Sequence, residues 1–487
     1  MGSVKSWKFG SPGEPEFPDD FEVAKKAVLQ VTDIKTNRNK YYCVELHAAQ
    51  ASGKSFYRVF THYGRTDDLE TNPNAGQKES RYLTSLPAAE AEYMSIYREK
   101  TSPRKGYKEL DLASSKIGSQ KTRGQSVGHM DQKTLEKLEA AAAKGGEKKP
   151  APKKKRPALD LPPAIQELVK YIYAEATDAL TTTVNAKITA NGIETPLGVL
   201  TVGQVEKGEA ILEKAYAVFQ KGAKNTQAEL ERLSGEFYTV VPHRIGRTRE
   251  AIQAAVIDSL AAFEQKQETL QLMKDMLQVN GEAKNVLIEP ELDGKYKALN
   301  CHLAPIEAGT PQHEELTAFV LGSQVKHKNV KVKRLFSVRR DAEAKAFRGD
   351  EVGNHRLLFH GSRIRNWVGI LSRGLLMPKI VVSMGVNRTD AGWLGNGIYF
   401  GDAACTSGFY TSAGSKGTRF MAIHTVALGR AKEYTKITYG LTAPPAGFDS
   451  CHGVPRRERK GSEFEDNELV IYDPRQQRQD YLVEFTL

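Results

Sequence analysis

The chain has 487 residues, 26% charged and 40% hydrophobic, with a formal net charge of +11. That length can bury several cores, so two to four domains are expected, and no apolar run approaches the roughly 20 residues that span a bilayer. Four scattered cysteines (Cys43, Cys301, Cys405, Cys451) form no C-x-x-C pair, which argues against a zinc module or a disulfide scaffold and for a reducing compartment.

Residues 1–20 read as an N-terminal tail. From 21 to 117, alternating runs such as Tyr41-Tyr42-Cys43-Val44-Glu45-Leu46 and Phe56-Tyr57-Arg58-Val59-Phe60 predict half-exposed strands of a small antiparallel sheet, with a helix near Pro87–Lys100. Residues 118–158 turn to Gly, Ala, Pro and Lys and end in Lys153-Lys154-Lys155-Arg156. They have little to bury and repel one another, so a basic flexible linker is expected, attracted to polyanions.

Residues 159–280 read as a helical bundle. Ile165, Leu168, Val169, Ile172 and Ala176 recur at helical spacing, after Pro162-Pro163 in a first turn. Thr201 with Gln204 predicts a capping box. Ile252, Val256, Leu260, Phe263, Leu270, Met273 and Leu277 predict one face of a single long helix, on the order of 40 Å if unbroken. Residues 281–487 are strand-rich, with Arg419–Gly429, Glu468–Asp473 and Tyr481–Phe485 the clearest strands. The fold class expected is multidomain α+β: an antiparallel-sheet domain, an all-α bundle, then a mixed α+β domain.

Three segments of the last domain carry chemistry: Leu358-Phe359-His360-Gly361-Ser362-Arg363, Gly395-Asn396-Gly397-Ile398-Tyr399-Phe400-Gly401-Asp402 and Asn467-Glu468-Leu469-Val470-Ile471-Tyr472. Each of His360, Tyr399 and Glu468 alone is ordinary. Together, in this order, they resemble the catalytic signature of the poly(ADP-ribose) polymerase (PARP) family. The resemblance implies that NAD+ is consumed as a substrate, with no metal and no tightly bound cofactor. Cleaving its nicotinamide–ribose bond builds positive charge on the sugar, as in glycoside hydrolysis, so a carboxylate belongs beside it. It further implies that Gly361 and Ser407 hold the carboxamide, that Tyr410 and Tyr399 flank the nicotinamide ring, and that His360 and Ser362 bond ribose hydroxyls. Glu468 would stabilise the cation and support chain elongation, and the loop Met377–Trp393 would cover the donor. Gly395-Asn396-Gly397 is not a dinucleotide fingerprint, because the third glycine position is Phe400. Thr406 and Gly401 depart from the family's common lysine and alanine.

Pro196-Leu197-Gly198-Val199-Leu200 and Leu233–His243 resemble the family's regulatory bundle, which implies a gate on NAD+ entry. Asn39-Lys40-Tyr41-Tyr42 and Tyr63-Gly64-Arg65 resemble a WGR domain with tyrosine in the tryptophan position. The resemblance implies DNA contact through Asn39, Lys40, Tyr63, Gly64 and Arg65, mostly to phosphate.

The expected function is a DNA-break-stimulated poly(ADP-ribosyl) transferase acting on itself and nearby acceptor proteins in DNA damage signalling. No membrane partner is expected, and the expected location is the nucleus of a eukaryote or the nucleoid and cytoplasm of a bacterium. Two alternatives are a mono-ADP-ribosyltransferase and a catalytically weak DNA-end-binding scaffold.

Overall fold

The computed structural model describes residues 4–123, 159–184, 186–189, 192–222, 226–243, 245, 248–284, 291–325, 327–377 and 392–487. The chain clusters into two compact units, one of residues 1–154 with 180–277 and one of residues 155–179 with 278–487.

The first unit is built on a six-stranded antiparallel sheet. Its strands are β1 (Trp7–Lys8), β2 (Glu22–Asp33), β3 (Arg38–Ala51), β4 (Lys54–Arg65), β5 (Gln77–Leu83) and β6 (Lys108–Glu109), in the order β1-β5-β4-β3-β2-β6. Period-two alternation gives the sheet two different faces. Ala27, Leu29, Val31, Tyr42, Val44, Leu46 and Val59 pack under helix α1 (Leu86–Thr101), against its Ala89, Tyr93 and Ile96. Ser85 caps α1 by accepting the Ala88 N–H at 3.4 Å, and Pro87 sits in the first turn.

The opposite face is polar yet buried: Lys26, Glu45, His47, Arg58 and His62 all lie under cover. Glu45 pairs with Lys26 at 3.1 Å and with His47 at 2.8 Å. It also accepts the Ser119 N–H at 3.2 Å and the Thr122 hydroxyl at 2.7 Å. Burial alone would raise its pKa, but these partners hold it well below the usual carboxylate range.

That cover corrects two expectations. Residues 4–20 are no tail: β1 pairs with β5, and Phe9 meets Phe60 edge-on at 5.3 Å, while Phe17 and Phe21 close over His47. Nor does a linker begin at 118, because Gly118–Arg123 folds over Glu45 and supplies donors that a buried carboxylate requires. Gly118, at φ +104°, passes so close to Glu45 and Lys26 that a Cβ would collide with both. The rest of the expected linker, residues 124–158, lies outside the described residues.

The same unit holds a second sheet and most of the helical region. Strands β7 (Leu112–Ser115), β8 (Lys187–Thr189), β9 (Gly192–Glu194) and β10 (Gly198–Leu200) run in the order β7-β10-β9-β8. Thr201 caps the Val202–Gln220 helix by accepting the Gln204 N–H at 3.1 Å. The reciprocal half of the expected box is absent: Gln204 is fully buried and bonds the Asp111 N–H at 2.7 Å and the Val240 carbonyl at 3.0 Å. The Gln227–Val240 helix presses against β2, where Thr239 accepts the Thr32 N–H at 2.7 Å.

The expected single long helix is two, Arg249–Ala254 and Leu260–Lys284. Ser259 caps the second by accepting the Ala262 N–H, and the break is held by Tyr238 donating to the Ala255 carbonyl and by Ser234 accepting the Ile257 N–H. Local capping thus overrides a hydrophobic period that continues across the gap.

The second unit pairs a five-stranded sheet with a four-stranded one. Strands β11 (His302–Ile306), β12 (Lys331–Arg339), β13 (His355–Gly361), β15 (Arg419–Ala427) and β19 (Gln477–Thr486) form the first, in the order β11-β12-β19-β15-β13. Strands β14 (Ile398–Phe400), β16 (Ala431–Tyr434), β17 (Ser450–Gly453) and β18 (Glu468–Ile471) form the second, in the order β14-β18-β17-β16. Leu335, Phe359, Met421, Ile423, Val483 and Phe485 make the core. Within this unit the Pro163–Ala179 stretch of the Pro163–Thr183 helix lies on the sheet, with Tyr171 packed on Phe420 and Glu175 accepting both the N–H and the hydroxyl of Ser415. All four cysteines are buried free thiols, and among the described residues no helix is long and apolar enough to cross a membrane.

Candidate active site and candidate nucleic-acid interface

The two sheets of the second unit join where β13 meets β14. Phe359 and Gly401 exchange backbone hydrogen bonds of 2.8 and 3.0 Å, so the ends of β13 and β14 lie side by side. β14 in turn pairs with β18, with Tyr399 opposite Val470. This register brings the strand ends bearing His360, Tyr399 and Glu468 to one junction.

His360 Nδ1 lies 3.0 Å from the Tyr399 carbonyl oxygen. A carbonyl can only accept, so Nδ1 carries the proton. Burial lowers the ring's pKa despite that bond, so the ring is neutral and Nε2 is left as an acceptor. The Tyr399 hydroxyl accepts the Leu394 N–H at 2.9 Å and donates to the Gly395 carbonyl at 2.8 Å, which pins the ring from its far end.

Glu468 is 8% exposed and makes no hydrogen bond among the described residues. Burial, then the nearby Asp466 and Asp402, push its pKa up to about 8. Its neighbour Asn467 was not singled out in the sequence. Its Oδ1 accepts from His452 Nε2 at 2.6 Å and its Nδ2 donates to Asp402 at 2.7 Å, fixing the backbone that presents Glu468.

Gly361 packs against the Ser407 carbonyl so closely that any Cβ would collide with it. Ser407 is buried and donates to the Phe359 carbonyl at 3.2 Å, so its hydroxyl proton is already committed. Ser362 accepts from Asn366 at 3.1 Å, and half-buried Tyr410 follows the short Ala404–Gly408 helix. Of the segment expected to cover the donor, 378–391 lies outside the described residues.

In the first unit, β3 and β4 set Lys40 opposite Arg65 and Tyr42 opposite Tyr63. A cleft of about 440 Å³ there is lined by Lys40, Tyr63, Gly64 and Arg65 together with Tyr42, Arg81 and Lys100. Tyr63 stacks on Tyr42 at 5.2 Å, with Lys100 over the other ring at 4.6 Å. Gly64 makes a close approach to Gly76 that a side chain would crowd. Asn39 does not line the cleft. It faces the other way and donates to Asp67 at 2.8 Å, the same carboxylate that holds Arg65 at 3.0 Å. Tyr42, Arg81 and Lys100 were missed because only the strand register and α1 bring them to this place.

Three family models match the chain in succession: the WGR domain over residues 25–113, the poly(ADP-ribose) polymerase regulatory domain over 160–289, and the poly(ADP-ribose) polymerase catalytic domain over 315–487. The protein mono-ADP-ribosyltransferase PARP4 of Homo sapiens is 30% identical over 97% of this chain, but the chain spans only 25% of that relative's length, and 21% of its Mus musculus counterpart. The protein mono-ADP-ribosyltransferase PARP3 of Homo sapiens is 26% identical, covering 94% of this chain and 87% of its own. Poly [ADP-ribose] polymerase 2 of Homo sapiens is 27% identical, covering 94% and 78%. With the three domains of that architecture in order, and its His, Tyr and Glu gathered at one strand junction, the chain belongs to the poly(ADP-ribose) polymerase family.

Proposed function

We propose that the chain is an NAD+ ADP-ribosyltransferase, stimulated by DNA ends, that builds ADP-ribose chains on itself and on nearby proteins. What carries the reading is the junction itself: a neutral His360 whose Nε2 has no hydrogen bond among the described residues, a pinned Tyr399, and a buried Glu468 that likewise has none among the described residues. A buried carboxyl without a hydrogen bond costs stability, and active sites are where such groups are kept.

In the proposed reaction NAD+ lies with its nicotinamide between Tyr410 and Tyr399 and its carboxamide on the Gly361 backbone and Ser407. His360 Nε2 accepts a hydroxyl of the adenosine ribose, beside Ser362. Glu468 accepts the hydroxyl of the nicotinamide ribose. The bond from C1′ to the nicotinamide nitrogen breaks, its electron pair leaves with nicotinamide, and the oxocarbenium carbon is attacked by an acceptor group that then loses its proton. The cationic donor next to Glu468 draws the carboxyl's pKa back down, so the anion forms where the sugar charge develops.

The Lys40–Tyr63–Arg65 cleft is proposed to take the DNA end, the rings stacking and the cations meeting phosphate. A second reading, transfer of a single unit, is favoured by the similarity to the mono-ADP-ribosyltransferases PARP3 and PARP4. Nicotinamide release from NAD+ by the full chain tests the activity. Release that is lost in Glu468→Gln supports it, and no release with or without DNA overturns it.

A further inference from the structure

The polar face of the six-stranded sheet, turned away from α1, bears a separate cleft of about 500 Å³, within the usual size of small-ligand sites. Strand register shows why it is distinct from the Tyr63–Arg65 surface. His47, Arg58 and Tyr82 form one cross-strand row, and Cys43, His62 and Lys78 another, whereas Tyr63 and Arg65 point to the other side.

Arg58 forms the floor. It is 7% exposed, donates to His47 Nδ1 at 3.2 Å, and lies 4.3 Å over Phe17 and 5.1 Å over Phe21. No carboxylate pairs with it among the described residues. At the mouth, Lys78 and Arg123 stand together, also without a carboxylate among the described residues, and the Arg123 Nε is buried with no acceptor. Burial and then the charge of Arg123 lower the pKa of Lys78. Lys121 adds a fourth cation, shared with Asp20 at 3.1 Å, against the single lining carboxylate Asp19. Two adjoining cations with an unused donor are costly unless an anion joins them. Beside them Phe9 keeps 46% of its surface exposed, an open aromatic wall.

We propose that this cleft binds a nucleoside phosphate, with the phosphate between Lys78 and Arg123 and the base against Phe9. A phosphate's charge of about −2 matches the paired cations, and a flat base suits the ring. A lone peptide carboxylate would satisfy one cation and leave Phe9 uncovered. The nucleoside phosphate is either a free nucleotide or the end unit of a strand. Neither the transfer chemistry nor the DNA cleft described above requires this site.

The test is photolabelling of the full chain with an azido derivative of ADP, mapped by peptide mass spectrometry. Label is expected on the peptides carrying Phe9–Phe21 or Lys78, falling at least tenfold in Lys78→Ala/Arg123→Ala and unchanged in Tyr63→Ala. Lys78→Gln alone, checked for an unaltered melting temperature, serves if the double variant does not fold, and should lower the label in the same direction. ADP competing better than a 5′-phosphorylated single strand assigns the free nucleotide, and the reverse assigns the strand end. Label absent from these peptides, or indifferent to the substitutions, overturns the proposal. So does equal competition by inorganic phosphate or a phosphotyrosine peptide.

Discussion

Nδ1 of His360 faces the backbone carbonyl of Tyr399 at 3.0 Å, and this one contact sets the chemistry of both strand ends. It fixes the imidazole tautomer and leaves Nε2 as an acceptor, which in the proposed reaction takes a sugar hydroxyl. His360→Ala removes that acceptor. With a hydrogen bond worth about 1–2 kcal/mol in place, KM for NAD+ should rise about 5- to 30-fold. Steady-state kinetics checks it, and an unchanged KM removes His360 from the donor site.

Glu468 gives a pH dependence. Its carboxyl is pushed up to about 8, so the free enzyme holds it mostly protonated at neutral pH. kcat/KM should therefore climb from pH 6 to 8.5, and the climb should vanish in Glu468→Gln, whose kcat should fall about 10²- to 10³-fold.

The same shift predicts stability with the opposite sign to an ordinary ion-paired carboxylate. A carboxyl whose folded pKa is raised binds its proton more tightly folded than unfolded. Its penalty is absent below the unfolded value and grows as pH rises toward about 8. Glu468→Gln should melt at about the parent's temperature at pH 5 and clearly above it at pH 8.5. Parallel melting curves across that range would contradict the burial described.

Gly361 has no room for a side chain because the Ser407 carbonyl occupies the place. Gly361→Ala should cost about 2–4 kcal/mol and lower the melting temperature by about 5–10 °C. Calorimetry on the full chain reads it, and an unaltered transition would mean that the two backbones do not approach as described.

Asp67 ties up Arg65, the cation expected to meet phosphate. The pair is partly exposed, so freeing it is worth only a few tenths of a kcal/mol to about 1 kcal/mol. Asp67→Asn should tighten binding to a DNA end about two- to fivefold. Arg65→Ala should weaken binding and reduce the salt slope by about 1. Fluorescence anisotropy at several salt concentrations distinguishes these effects.

How much was legible follows from how far apart the interacting residues lie in sequence. His360, Tyr399 and Glu468 stood out because each lies in a short contiguous motif, Leu358–Arg363, Gly395–Asp402 and Asn467–Tyr472, and the three together resemble the family's catalytic signature, while α1 is framed by Ser85 and Pro87 within a few residues. The Tyr42–Tyr63 stack and the crossing of Asn39 and Arg65 at Asp67 depend on register between separate strands, which alternation alone does not fix. The cover over Glu45 was hidden for the same reason: its donors come from Ser119 and Thr122, more than seventy residues on. Residues 4–20 looked like a tail because their aromatics are spaced too irregularly for either period, yet those rings close the polar face. Ser259 could have been read as a cap, but the apolar period across it was the stronger signal.

Donor chemistry, elongation and DNA control meet in one experiment. The purified chain is incubated with labelled NAD+, with and without a blunt 5′-phosphorylated duplex, and the products are run on a gel. A smear of long labelled products that depends on the duplex is the predicted result. A single sharp labelled band would contradict elongation and leave mono-transfer, and no label under either condition would contradict the transferase account.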